Sequence, residues 1–145
     1  MSDNNRHNRT LLTAIAAAAV MLLTGGCSGL TKEAKEMVGD YYINEVSADL
    51  PVMELKSDGT IVQRAIKPGV LTYSVKGKWN VKRDSLIVEN EPLPFDVEGD
   101  STLIGTIPPR MAKAVVGFNG LTLTLRHDGA DYVYFRRGHR ENNDD

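Results

Sequence analysis

The sequence has little cysteine, histidine and net charge, and each shortage excludes a class of protein. One cysteine and three histidines in 145 residues leave no disulfide framework and no four-cysteine zinc site. Seventeen basic and nineteen acidic residues give a formal net charge of −2, so the chain has no basic field for nucleic acid. Aromatic residues make up only 6% of the chain, so most of them are needed for an ordinary core. The length and composition fit one globular domain of ordinary size.

Motifs of the common enzyme classes are also missing. The chain contains no His-Glu-x-x-His, no glycine-rich phosphate loop and no Gly-x-Ser-x-Gly elbow. His127, Asp128 and Asp131 could hold a metal ion, although a solvated turn is the simpler interpretation. Carboxylates crowd residues 89–100, where a glycosidase pair would need a fixed separation across a cleft; they are Glu89, Glu91, Asp96, Glu98 and Asp100. Exposed acids are ordinary on short strands, so we predict a protein that is not an enzyme and has no cofactor.

The N-terminal segment has the pattern of a secretory signal peptide. A polar start with Arg6 and Arg9 precedes residues 11–23, of which only Thr13 is polar. At about 1.5 Å per residue this run spans roughly 20 Å, short of the ~30 Å hydrocarbon core of a membrane. A basic start, a short apolar run and small residues at its end are typical of a signal peptide. We predict one for residues 1–26.

The signal ends in Leu23-Thr24-Gly25-Gly26-Cys27, which resembles the lipobox of bacterial lipoproteins. The resemblance implies that Cys27 becomes a lipidated N-terminus, although leucine lies one place further from the cysteine than in the usual pattern. An ordinary secretory cleavage that leaves a cysteine is the alternative. Several acyl chains on one residue, at about 0.8 kcal/mol per buried CH₂, would anchor the protein stably. We therefore expect a lipid-anchored protein of the bacterial cell envelope, and Ser28 suggests the outer membrane by analogy; the periplasmic or surface face stays open.

The remaining chain divides into a tether, a domain and a tail. Residues 27–37 are predicted to be the lipidated cysteine and a tether, in which a short helix could start near Thr31. Residues 38–138 hold the domain, which is long enough for one modest core. Residues 139–145 are polar and rich in charge, so we predict a disordered acidic tail.

Short strands are the main feature of the domain. In residues 71–81 every odd position except Gly77 is apolar and every even one is polar, which predicts a half-buried strand with a bend or bulge at the glycine. Residues 109–116 fit either one or two helical turns or a strand, and the Asn119-Gly120 turn after them favours a strand. Further strands are predicted at residues 41–46, 52–55, 60–66, 86–88, 95–97, 103–104, 121–126 and 132–136. Such spacing predicts an all-β fold, an antiparallel meander of eight to ten strands that closes into a barrel or sandwich.

The order of these elements resembles the lipocalin-like domains of small bacterial lipoproteins. The resemblance covers residues 38–137 and depends on five short motifs: Val38-Gly39-Asp40-Tyr41, Leu55-Lys56-Ser57-Asp58-Gly59-Thr60, Gly77-Lys78-Trp79, Leu121-Thr122-Leu123 and Tyr132-Val133-Tyr134-Phe135-Arg136. It implies a lipocalin-like barrel with a central cavity for a small apolar ligand. In true lipocalins a C-terminal arginine packs over the tryptophan of an opening Gly-x-Trp. Here a tyrosine replaces that tryptophan, and the spacing leaves four candidate arginines: Arg64, Arg126, Arg136 and Arg137.

Aromatic residues on alternating strands are the candidates to line the cavity, and ordinary core packing is their alternative role. They are Tyr41, Tyr73, Trp79, Phe95, Tyr132 and Tyr134. We expect non-catalytic binding of a small hydrophobic ligand, in addition to membrane anchoring through Cys27. The alternative is an interaction or inhibitor module that binds an envelope protein and has a filled barrel. A ligand-binding barrel requires an open and partly apolar mouth, whereas a partner-binding one requires an exposed apolar or acidic patch.

Overall fold

One short α-helix and nine strands make up residues 29–137, which the computed structural model describes. In chain order they are α1 (Lys32–Met37), β1 (Gly39–Tyr42), β2 (Met53–Leu55), β3 (Thr60–Lys67), β4 (Leu71–Lys82), β5 (Ser85–Asn90), β6 (Phe95–Gly99), β7 (Arg110–Phe118), β8 (Thr122–His127) and β9 (Ala130–Arg137). A 3₁₀ turn covers Ser101–Leu103. The predicted signal peptide, Cys27 and the acidic tail lie outside the described residues.

Eight of these strands pair into a closed antiparallel ring. Each strand pairs with the next along the chain, except that β5 pairs with β7, and β9 pairs with β1 to close the ring. β6 lies outside the ring and pairs with the first residues of β4, in line with β5. The prediction of an all-β antiparallel meander that closes into a barrel is therefore confirmed.

Two turns and one strand interior depend on glycine. Gly59 and Gly120 have φ of +86° and +90°, a conformation that glycine adopts readily, and they form the predicted Asp-Gly and Asn-Gly turns. In the middle of β4, a Cβ on Gly77 would collide with the backbone carbonyl of Glu89 on β5. Gly77 therefore lets the backbones of β4 and β5 approach closely, as barrel curvature requires.

Three segments test the strand assignments in detail. Residues 109–116 are strand, the favoured alternative, since β7 covers them. The predicted strand at residues 103–104 is wrong because the Asp100 carboxylate accepts a hydrogen bond from the Thr102 backbone and starts a 3₁₀ turn. The predicted strand at residues 41–46 ends at Tyr42, because the Ile43 carbonyl accepts bonds from the backbone of Val46 and Ser47 and forms a turn.

Helix α1 packs against the barrel. The Thr31 hydroxyl caps its start, and Ala34 and Met37 are buried in the core together with Leu30. Residues 30–37 thus belong to the packed domain, although the sequence analysis placed them in a tether. Only the helical spacing of Ala34 and Met37 signals this, because the rest of the helix is charged.

The barrel has two different ends. At the closed end lie α1 and the connections formed by residues 56–59, 83–84 and 119–121. At the open end lie the connections formed by residues 43–52, 68–70, 91–109 and 128–129. The largest fully buried side chains fill the interior and make up its core: Tyr41, Leu55, Ile61, Leu86, Val88, Leu123 and Leu125.

Candidate functional site

Arg136 seals the closed end of the barrel. Its guanidinium donates hydrogen bonds to three backbone carbonyls, those of Glu36 (2.8 Å), Val38 (3.1 Å) and Gly120 (2.8 Å). It also lies 5.3 Å from the centre of the Phe118 ring, a cation–π distance. The arginine therefore joins the end of α1, the start of the barrel and the β7–β8 turn, and it also lines a groove of about 710 Å³ beside β1 and β2.

Of the four candidate arginines, Arg136 is the one opposite Tyr41, in the β9–β1 pair. Tyr41 is completely buried, and its hydroxyl donates to the Met37 carbonyl at 2.6 Å. Burial raises the pKa of Tyr41, and the positive charge of Arg136 partly opposes that increase. The other three arginines contact other side chains and not Tyr41: Arg64 binds Glu54, Arg126 binds Asp131, and Arg137 stacks on Tyr42.

A cavity of about 210 Å³ lies at the open end. Its wall is formed by residues of β3, β4, β5 and β7, namely Gln63, Arg64, Ala65, Tyr73, Val75, Asn90 and Met111, and residues 106–108 contribute as well. Residues directly opposite each other in an antiparallel pair share a face, and Gln63 is opposite Val75 as Ala65 is opposite Tyr73. The cavity is therefore bounded by inward faces of the strands.

The polar part of this wall is fixed by hydrogen bonds. The Gln63 amide donates to the side-chain oxygen of Asn90 at 3.0 Å. The Asn90 amide nitrogen in turn donates to the Pro108 carbonyl at 2.9 Å and contacts the Met111 sulfur at 3.5 Å. These bonds hold residues 106–108 against the mouth and orient two amides beside apolar surface, as in small-molecule sites.

The six aromatic candidates lie in three different environments. Tyr73 lines the cavity. Tyr41, Trp79 and Tyr134 are buried in the core, and the Trp79 nitrogen donates to the Lys56 carbonyl at 3.0 Å. Tyr132 and Phe95 are exposed by 45% and 37%, and Phe95 lies outside the ring, on β6. The structure thus brings one of the six to the cavity.

Lys113, which no sequence pattern singles out, lies one inward position further along β7 than Met111 of the cavity wall. It lies on β7 between Met111 and Val115 and opposite the buried Leu86, so its side chain shares their inward face. Within residues 29–137 its side chain makes no hydrogen bond or ion pair. Burial lowers the pKa of its ammonium group. The sequence held no clear signal, because the inward face of β7 is known only once residues 109–116 are assigned to a strand.

Two tyrosines of β9 occupy the same inward face further round the ring. Tyr132 is opposite Leu125 and Tyr134 is opposite Leu123. Burial raises the pKa of Tyr134, and the nearby Tyr132 raises it further. Among residues 29–137 no buried side-chain nitrogen or oxygen lacks a hydrogen-bond partner, so neither tyrosine leaves a buried polar group unpaired.

The two ends of the barrel differ in charge. The open-end connections contain seven acidic residues and no basic residue: Glu45, Asp49, Glu91, Asp96, Glu98, Asp100 and Asp128. The closed-end segments, residues 29–38, 56–59, 83–84 and 119–121, contain four of each sign: Lys32, Lys35, Lys56, Arg83, Glu33, Glu36, Asp58 and Asp84. Lys82 and Arg137 lie at strand ends beside the closed-end segments, and Lys67 and Arg110 lie at strand ends beside the open-end connections. The open end is therefore strongly acidic, and the closed end is neutral to basic.

The other chemical possibilities read from the sequence are separated in space. His127 lies 3.3 Å from Asp128, whereas Asp131 is bound by Arg126 at 2.7 Å. Among residues 29–137 no three His, Cys, Asp or Glu side chains are grouped as a metal site. No helix in this range combines the length and the apolar character that crossing a membrane requires.

Comparisons with protein-family models, curated proteins and solved structures gave no significant match for this chain.

Proposed function

We propose that this chain is a lipid-anchored protein of the bacterial cell envelope whose lipocalin-like barrel binds a small hydrophobic ligand without catalysing a reaction. The observation that carries the proposal is the asymmetry of the barrel interior. At one end Arg136 and core side chains fill the interior beside a groove of about 710 Å³ between β1, β2 and β9, whereas at the other end inward-facing residues of β3, β4, β5 and β7 border a cavity of about 210 Å³ with a mixed wall. This volume is below the roughly 300–1,000 Å³ of sites for drug-sized molecules, so the ligand is small, such as a short acyl chain.

The unpaired ammonium group of Lys113 favours a ligand that carries an acidic group. An ammonium group that is partly withdrawn from water and has no partner is unfavourable unless an anion approaches it. Lys113 follows Met111, a wall residue of the cavity, on the inward face of β7. The seven acidic residues of the open end lie in the connecting segments and on β6. None of them therefore lies on an inward face of the ring, where it could pair with Lys113. A short-chain carboxylic acid therefore fits both the apolar wall and the lysine.

Methionine methyl NMR tests both parts of this proposal. The chain has five methionines, among which Met111 lines the cavity and Met37 packs at the closed end. We expect octanoate and 1-octanol each to shift the Met111 methyl signal saturably and to leave Met37 unchanged. Octanoate should bind about tenfold more tightly than the alcohol, as one charge-assisted hydrogen bond would give.

Two lysine variants separate the ligand class from ligand binding itself. Lys113→Met should bind octanoate and octanol equally, whereas Lys82→Met, at an exposed lysine, should keep the preference for octanoate. If the unsubstituted protein binds octanoate and octanol equally, the ligand still binds, but the prediction that it is an acid is contradicted. No saturable shift of Met111 with either probe would contradict ligand binding.

The lipid anchor has its own test. Cells that express the full chain and are fed labelled palmitate should yield labelled protein, and Cys27→Ala should abolish the label and release the protein from membranes. Labelled protein from the Cys27→Ala variant would contradict the anchor at this cysteine. A labelled protein in which residues 1–26 remain attached would contradict the signal peptide.

A second candidate function, binding of an envelope protein, is favoured by β6. All five residues of β6 are exposed, and Leu93 just before it is 75% exposed. A groove of about 620 Å³ separates Leu93 and Phe95 from Val62 on the barrel wall. Exposed apolar surface of this kind is typical of interaction sites. A photo-crosslinking residue at position 93 should then give a discrete crosslinked species in cells that the same residue at Ala112, on the exposed face of β7, does not give.

A further inference from the structure

The start of the described chain is attached to the closed end of the barrel. The Thr31 backbone donates to the Asn80 side chain at 2.9 Å, and the Thr31 hydroxyl donates to the Val81 carbonyl at 2.7 Å. The Asn80 amide also donates to the Gly29 carbonyl at 3.4 Å. These bonds fix Gly29 beside the end of β4, next to the β4–β5 turn.

Cys27 precedes Gly29 by only two residues. Two residues of chain span at most about 7 Å, even when fully extended. A lipid attached to Cys27 therefore enters the membrane within about 7 Å of Gly29, so the closed end is the end of the barrel held near that surface.

The charges favour the same orientation. Bacterial membrane surfaces that contain anionic lipid attract basic side chains and repel acidic ones. The open-end connections carry seven acidic residues and no basic one, whereas the closed-end segments carry four basic and four acidic residues, so repulsion from anionic lipid acts mainly on the open end.

We infer that the closed end of the barrel docks on an anionic lipid surface and that the open end, with its cavity and acidic rim, points away from the membrane. The inference rests on the proposed lipidation of Cys27. It means that a ligand reaches the cavity from the aqueous side, not directly from the bilayer to which the protein is anchored.

Fluorescence quenching at two engineered cysteines tests this orientation. Ser57→Cys places a thiol in the β2–β3 turn at the closed end, and Ser101→Cys places one in the 3₁₀ turn at the open end; both serines are exposed. Each variant, purified from cells that express the full chain, is labelled with bimane and reconstituted into phosphatidylethanolamine–phosphatidylglycerol vesicles with a nitroxide on some headgroups. We expect the label at position 57 to be quenched at least threefold more than the label at position 101.

The number of labels separates the two ways in which this test can fail. If Cys27 is lipidated, mass spectrometry finds one bimane per molecule, and equal or reversed quenching then overturns the orientation alone. If Cys27 is free, two bimanes are attached, and both the anchor and the inference that rests on it are overturned.

Discussion

Arg136 lies directly opposite Tyr41 in the strand pair that closes the barrel. Tyr41 is completely buried and is tied to the last residue of α1, while Arg136 bonds to carbonyls before β1 and after β7. Together they connect the first and last strands with the helix. The closure expected of a tryptophan and an arginine is thus made by a tyrosine and an arginine.

Removing this arginine should weaken the whole fold. Arg136→Met leaves three carbonyls without their donor, and we expect the free energy of unfolding to fall by about 2–3 kcal/mol. Arg136→Lys should recover part of the loss, because one ammonium group cannot reach all three carbonyls. Urea unfolding measures both. Arg126→Met is the matched control, since its ion pair with Asp131 is exposed and such pairs contribute little. Equal losses for Arg126→Met and Arg136→Met would contradict the role of Arg136.

Gly77→Ala should destabilise the barrel where β4 and β5 meet. The added Cβ collides with the Glu89 carbonyl, and overpacking of this kind costs about 1–3 kcal/mol. Gly105→Ala provides the comparison, because no atom lies within 4 Å of its added Cβ. Thermal unfolding of the two variants should therefore separate them clearly. A Gly77→Ala protein as stable as Gly105→Ala would show that β4 and β5 are not in close contact.

Lys113→Met should stabilise the protein at neutral pH, because burial disfavours the charged form of the lysine in the folded state. The pKa of Lys113 is lowered in the folded state, so the unfolded state binds more protons between that pKa and the ordinary value of 10.5. Stability therefore rises with pH across this window, and the penalty is fully present below it. The advantage of Lys113→Met should accordingly be largest near pH 7 and should shrink towards pH 10.5.

Burial raises the pKa of Tyr41 and Tyr134, and these groups destabilise the fold at high pH in both proteins. Their contribution cancels when the variant is compared with the unsubstituted chain by urea unfolding at each pH. A Lys113→Met protein that is less stable than the parent at pH 7 would show that the lysine already has a favourable partner.

More of the fold than of the candidate site could be predicted from the sequence. Alternation in β4, the Asp-Gly and Asn-Gly turns and the spacing of short strands are local signals, and they predicted the antiparallel barrel. The packing of residues 30–37 into the core could not be predicted from the sequence, because it depends on only three apolar side chains, those of Leu30, Ala34 and Met37. The 3₁₀ turn after β6 was missed because a side-chain bond of Asp100 overrides the apolar pair at residues 103–104.

The cavity was harder to predict because it depends on which residues face inward at one end of a closed ring. Gln63 and Asn90, 27 positions apart in the chain, meet only because β3 and β5 flank β4. The inward position of Lys113 follows from its register opposite Leu86, which no local pattern in residues 109–116 indicates. Aromatic content was therefore a poor guide, and only Tyr73 among the six candidates lines the cavity.

Native mass spectrometry of protein purified gently from cells tests ligand binding at the open end most directly. Ala65→Phe places a ring in the cavity wall, and Ala112→Phe makes the same change on the exposed face of β7. We predict a discrete added mass that is lost on denaturation, that Ala112→Phe keeps and that Ala65→Phe loses; the covalent lipid mass should remain in all three. A parent protein without an added mass, or an added mass that Ala65→Phe keeps, would contradict a ligand site at the open end.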